Sequence, residues 1–194
     1  MPLPAAGVPL PPAQETPPLT TDARPEIASP DTYKRRVIAL LGGRAPLDVL
    51  AETPGHLEGA VSGEDPGVLR ARPFAGKWTP LEIVGHYVDT EWAFGWRTRA
   101  ILGDDSPRIA GFDQDKWVAA QRHNDADPSA LVGAFRSLRA INLALWRGLP
   151  PAALARTAIH EKRGEESLGL WLELIAGHDL WHLDQLGRYL AAAR

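Results

Sequence analysis

Apolar residues recur along this chain at spacings of three and four over four long stretches, the period of amphipathic helices. No stretch of convincing length alternates apolar and polar residues as a half-buried strand would, and no internal repeat appears. The last stretch, from about Ser167 to Ala192, carries Leu168, Trp171, Ile175, His178, His182, Leu186 and Tyr189 on one face, with Glu173, Asp184 and Arg188 opposite. Two histidines four residues apart therefore fall in the middle of a stripe that ought to be buried.

A second long helix announces its own start. Thr79 is an N-cap with Pro80 at the first helical position and Glu82 at the third, a capping box, and the helix should run to about Leu102 before Gly103-Asp104-Asp105-Ser106-Pro107 ends it. Phased on His86, its inner face collects Ile83, Thr90, Ala93, Phe94, Arg97 and Ile101. A third helix opens at Asp127-Pro128 and carries Leu131, Phe135, Leu138, Ile141, Leu145 and Trp146 to Gly148.

The remaining signals are shorter. Ser29-Pro30-Asp31 begins a helix with Tyr33, Val37, Ile38 and Leu41 apolar, stopped by Gly42-Gly43. Another stretch begins near Pro46, with Leu47, Leu50, Leu57, Ala60 and Val61; Pro54-Gly55 should break or kink it, leaving His56 on the surface. Residues 63–76 read as turns and extended chain, 112–122 as a short helical crossover with Trp117 inward, and 161–164 as a charged loop. Four main helices with one or two long connections predict an all-α protein, a four-helix bundle over residues 29–194. Residues 1–28 hold eight of the eighteen prolines and few large apolar side chains, so they are read as an extended or disordered arm.

Composition narrows the chemistry. There is no cysteine among the 194 residues, which excludes disulfides, thiolate ligands and a cysteine nucleophile, and leaves nitrogen and oxygen donors for any metal. The net charge of -3 without a Lys/Arg block gives no electrostatic footprint for nucleic acid or an anionic membrane. No apolar run approaches the ~18 residues of a membrane span, and the start of the chain lacks the basic and apolar regions of a signal peptide. A cytoplasmic protein acting on a small molecule is expected.

His178 and His182 at i and i+4 can share one ion, and inward His86 on a facing helix completes a tripod that keeps a position open for water. The competing reading is ordinary core or surface histidines. Asp89, one turn after His86, and Gln185, one turn after His182, are candidates to support the imidazoles, or are plain polar residues of the bundle. Asp179 lies near the inward boundary, either a fourth ligand or, as its phase suits better, a structural hydrogen-bond partner. Inward Arg97 needs an acceptor: an anionic substrate group, or a salt bridge to Asp89 or Glu82. Trp92 and Trp96 line a pocket mouth or an interface, which favours a homodimer.

The segment Lys77-Trp78-Thr79-Pro80-Leu81-Glu82-Ile83-Val84-Gly85-His86-Tyr87-Val88-Asp89, basic Arg97, the crossover from Phe112-Asp113 to Trp117, and His178-x-x-x-His182-x-x-Gln185 together resemble the DinB-like superfamily. The nearest branch is that of the metal-dependent hydrolases now regarded as bacillithiol S-transferases. The resemblance covers roughly residues 45 to 192. It implies a bundle in up-down-down-up order, often dimeric, with zinc or nickel on a three-histidine site that maps to His86, His178 and His182. It implies no DNA binding. Ala93, a small residue one turn before Arg97, and the Pro-rich arm depart from the pattern. The activity implied is transfer of a bacillithiol-type thiol to an electrophile, with Arg97 orienting an anionic group and Asp89 in support. The alternatives are hydrolysis by a metal-activated water and a non-catalytic, metal-binding stress-response bundle. With no cysteine in the chain, the thiol would be a low-molecular-weight cosubstrate.

Overall fold

The computed structural model describes residues 29–194; the expected Pro-rich arm at 1–28 lies outside the described residues. Four helices form the bundle: α2 (Pro46–Val61), α4 (Pro80–Gly103), α6 (Pro128–Arg147) and α7 (Leu168–Ala193). Between and around them lie α1 (Pro30–Ala39), α3 (Pro66–Arg70) and α5 (Gln114–Gln121), together with the strands β1 (Arg108–Ile109), β2 (Thr157–His160) and β3 (Gly164–Ser167).

Side-chain pairings fix the helix directions. Along α4 and α6, Tyr87 meets Phe135, Glu91 meets Arg139 and Thr98 meets Trp146, so these two helices run parallel. Along α4 and α7, Trp78 meets His182, His86 meets His178 and Phe94 meets Trp171, so these run antiparallel. Helix α2 places Leu50 with Ile175 and Leu57 with Leu186, and thus runs parallel to α7. The order is up, down, down, up, and the parallel step from α4 to α6 requires the long crossover that α5 occupies.

The helix starts follow the local chemistry. Thr79 Oγ1 accepts from Glu82 N at 3.1 Å while the Glu82 carboxylate accepts from Thr79 N at 2.7 Å, closing the capping box. Ser29, Asp65, Asp127 and Ser167 cap α1, α3, α6 and α7.

Four expectations change. The stretch read as turns and extended chain at 63–76 contains the short helix α3, whose start Asp65 caps by accepting from Gly67 N and Val68 N. Helix α2 continues through Pro54 instead of breaking there. A proline ring cannot donate to the carbonyl four residues back, and that carbonyl, Leu50 O, instead accepts from Arg139 Nη1 at 2.9 Å. The inner face of α6 is rotated from its purely apolar phase: Ile141 is 60% exposed, whereas Val132, Phe135, Arg139, Asn142, Leu143 and Trp146 are buried. The rotation brings Arg139 onto two buried carboxylates, Glu91 Oε2 and Asp179 Oδ2, each at 2.7 Å, and sets Asn142 Nδ2 on Glu91 Oε1 at 2.7 Å. Finally, the bundle carries a small sheet of order β1-β2-β3, with β1 parallel and β2–β3 an antiparallel hairpin pairing Thr157 with Ser167 and His160 with Gly164. The charged loop at 161–164 is its turn. Strands of two to four residues are too short for alternation to stand out from chance.

Helix α1 crosses α7 where Gly177 permits it: a Cβ there would collide with the Val37 backbone. This close approach seats Tyr33 over the bundle beside the cleft described next. Among the described residues no helix is long and apolar enough to cross a membrane.

Candidate metal centre

The antiparallel run of α4 and α7 brings the three sequence-predicted histidines together. One ring nitrogen from each of His86, His178 and His182 lies within 4.8 Å of the others, and the Nε2 atoms of His86 and His178 are 3.2 Å apart. Two nitrogens each ~2.1 Å from one ion, at angles between octahedral and tetrahedral, stand roughly 3.0–3.4 Å apart. The donor set fits a divalent ion with no rearrangement of that pair. His86 and His182 are buried, whereas His178 is partly open toward a cleft.

The surroundings hold the rings in place. Gln185 Oε1 lies 2.8 Å from His182 Nδ1; a carboxamide oxygen only accepts, so Nδ1 carries the proton and Nε2 is the nitrogen that presents a lone pair to a cation. The expected support from Gln185 is present. The Trp78 ring packs 4.7 Å from His86 and 6.1 Å from His182, and Thr90 Oγ1 stands 3.3 Å from His86 Nε2. Next to His178, Tyr87 donates its hydroxyl to Asp179 O at 2.6 Å, which ties α7 to α4 at the site. Burial and the neighbouring Asp179 push the Tyr87 hydroxyl well above its ordinary pKa, so it remains a donor.

One expected support is placed differently. Asp89 accepts from Gln121 Nε2 at 2.6 Å through one oxygen, and the other lies 3.0 Å from His123 Nε2. It therefore anchors α4 to the crossover instead of bracing His86. His123 itself packs where Gly85 offers no side chain, since a Cβ there would overlap the imidazole. Asp179 takes the structural role that its phase suits better than that of a fourth ligand: it is 1% exposed, and its Oδ2 accepts from Arg139 Nη1. A polar loop residue such as His123 carries no periodicity, and its burial depends on a crossover that the sequence does not reveal.

Neither expected salt bridge to Arg97 forms. Glu82 takes Arg72 and the cap, and Asp89 is engaged as above. Arg97, 4% exposed, donates from Nη2 to Ala110 O at 2.9 Å, and its guanidinium carbon lies 5.2–5.5 Å from the ring centres of Trp171, Phe112 and Phe94. Burial, then the charge of Arg163, lowers its pKa to about 10, which still leaves it cationic at neutral pH.

His86, His178 and Arg97 all line one cleft of about 370 Å³, together with Tyr33 of α1 and with His160 and Arg163 of the hairpin. His160, which sequence reasoning did not single out, is 4% exposed, and its pKa is lowered to about 4 by burial and by Arg163 and Arg97. Its only sequence signal is the four-residue alternation Thr157-Ala158-Ile159-His160, in which Ala158 and His160 point inward.

The family model described as the DinB superfamily matches residues 49–186, a span that contains all three histidines. The chain belongs to the DinB superfamily. Among its relatives is the Bacillus subtilis (strain 168) protein named "Putative metal-dependent hydrolase YfiT", 26% identical over 147 residues, or 73% of this chain and 82% of that protein. A Bacillus mycoides (strain KBAB4) protein named "Putative metal-dependent hydrolase BcerKBAB4_2443" is 26% identical over 134 residues, 69% of this chain and 76% of that one. A solved structure of YfiT, described as a "probable metal-dependent hydrolase with an unusual four-helix bundle topology", superposes with a TM-score of 0.69 at 22% identity, covering 92% of this chain and 94% of that one. The likeness establishes the bundle as the DinB-type fold.

Proposed function

We propose that His86, His178 and His182 hold a divalent metal ion, zinc or nickel, and that the chain is a metal-dependent enzyme acting on a small molecule in the adjoining cleft. One observation carries the reading: three imidazole nitrogens from two facing helices converge within 4.8 Å at the wall of a cleft whose other end holds a buried cation, Arg97. The names of the relatives as metal-dependent hydrolases support it.

Bound there, a divalent ion supplies Lewis-acid activation of a water or a thiol at neutral pH. The protein's own residues do the positioning. Gln185 fixes the His182 tautomer, the Tyr87 to Asp179 bond holds the α7 backbone beside His178, and Arg97 meets an anionic part of the substrate. Asp89 is assigned to holding the crossover through Gln121 and His123, not to the reacting atoms.

Two reactions suit the site. In S-transfer, a small bacillithiol-type thiol loses its proton, its sulfur bonds to an electrophilic carbon, and the leaving group departs from that carbon. In hydrolysis, water takes the sulfur's place. The chain has no cysteine, so the nucleophile comes from outside it. Location in a thiol-rich cytoplasm and indifference to nucleic acid belong to the same proposal, supported by the absence of cysteine and the net charge of -3. The test is turnover by the metal-loaded protein on a panel of alkylating electrophiles with and without thiol, and on ester and amide substrates. Thiol-dependent loss of electrophile identifies S-transfer, and thiol-independent cleavage identifies hydrolysis. No turnover on either panel, with metal bound, points to a metal-stabilised bundle without catalysis.

A further inference from the structure

The end of the cleft remote from the histidines is built for an anion. Hydrogen-bond donors from three different elements line it, among them the Arg97 guanidinium on α4, the Tyr33 hydroxyl on α1, and His160 and Arg163 on the hairpin. Arg97 gives a single hydrogen bond to Ala110 O and makes no ion pair with any described residue, although it is 4% exposed. A buried guanidinium without a carboxylate is costly, which is the situation a ligand anion relieves.

His160 is set up as a donor. Lys162 N donates to its Nδ1 at 3.2 Å, so the ring proton sits on Nε2, which has no hydrogen-bond partner among the described residues. The Tyr33 hydroxyl likewise makes no hydrogen bond to the described residues, and burial raises its pKa, keeping the phenol protonated.

The negative charges nearby do not fill the place. Glu166 is 1% exposed and saturated: it accepts from Arg163 Nε and Nη2, both at 2.8 Å, and pairs with Lys34 Nζ at 2.9 Å. Burial pulls its pKa up, but these cations outweigh that and hold it low, so it stays ionised. Glu161, the other carboxylate acting on Arg97, stands exposed on the hairpin turn and forms no ion pair with it.

We infer that Arg97, His160 and Tyr33 form an anion clamp that receives a carboxylate or phosphate group of the substrate, with Arg163 braced behind it by Glu166. The inference rests on the proposed use of this cleft and deepens it by naming the substrate class. His86 and Arg97 are eleven residues apart on α4, roughly 16 Å of helix rise, and the Arg97 side chain leans back toward the helix start, which shortens the gap. The substrate is thus a small molecule whose anionic end lies on the order of 10 Å from its reacting centre. The hairpin β2–β3, through His160, becomes a specificity element of the site.

The test is calorimetric titration of the full chain with inorganic phosphate and, separately, with acetate. It is run both on protein as purified and after chelator treatment, so that a missing metal cannot mimic a missing clamp. Saturable binding of at least one anion that persists after chelation is expected, with the preferred anion showing which group the substrate carries. Arg97→Gln should weaken it about tenfold or more, as loss of a charge-assisted contact does. His160→Phe should weaken it severalfold and His160→Gln, which keeps an N–H donor, much less. His182→Ala, which disables the proposed metal site, should leave it unchanged. Should Arg97→Gln misfold by circular dichroism, Arg97→Lys, which keeps the charge and loses the fork, should still bind measurably more weakly than wild type. No saturable binding by the wild type, or equal binding by the Arg97 variant that folds, overturns the clamp without touching the metal site.

Discussion

At the scale of single residues, histidines divide into those that periodicity could find and those it could not. His86, His178 and His182 lie on long helices whose capped starts and apolar stripes fix their phase, so their inward orientation was legible. His123 and His160 sit in a turn and a four-residue strand, where tertiary contacts alone decide burial. For His160 this has a measurable consequence. Its folded-state pKa of about 4 lies below the ordinary value of 6.5, so the unfolded chain binds more protons between those limits. Stability should therefore fall as the pH drops from about 6.5 to 4 and level off with respect to this group below that. In urea titrations of the chelated protein, His160→Gln should show a shallower decline over that window than wild type. An identical slope in the two proteins would mean that His160 is not held neutral.

At the scale of elements, the sequence showed where the helices run but not how polar groups join them. Hydrophobic phasing of α6 pointed to Ile141 and Leu138, because it scores Arg139 and Asn142 as outward by type. In the fold, Arg139 is the link between three helices: it meets Glu91 of α4, Asp179 of α7 and the α2 carbonyl that Pro54 leaves without its helical donor. Burial pulls the Arg139 pKa down, but the two carboxylates outweigh that and raise it, so it is a permanent cation. Burial likewise lifts the Glu91 carboxyl above its ordinary range, against the pull of Arg139. Removing one partner of such a cluster strands the others. Arg139→Met should cost about 3–5 kcal/mol of folding stability, whereas adding Glu91→Gln to that variant should recover part of the loss, both read from denaturant midpoints. A loss below 1 kcal/mol on Arg139→Met would show that the cluster does not hold the helices together. Because Asp179 adjoins His178, the same cluster sets the stretch of α7 that carries the proposed ligands.

At the scale of the whole molecule, the up-down-down-up order puts α4 antiparallel to α7, and that adjacency alone brings His86 to a histidine pair 92 or more residues further along the chain. Nothing in periodicity dictates the order of helices; it came from the resemblance, and the contacts bear it out. Trp92 and Trp96 remain 57% and 49% exposed on α4, against three tryptophans buried in the bundle. We propose that this face joins two copies of the chain. Light scattering should then give a dimer mass for wild type and a monomer mass for Trp96→Glu, and a monomeric wild type at micromolar concentration would rule the interface out. The central claim, that the three histidines form a metal centre, is tested most directly by elemental analysis of the untagged chain purified from cells supplied with zinc and nickel. The proposal predicts about one divalent ion per wild-type chain and almost none in a folded His178→Ala/His182→Ala variant. A metal-free wild type, or a double variant that keeps its full metal content, would contradict it.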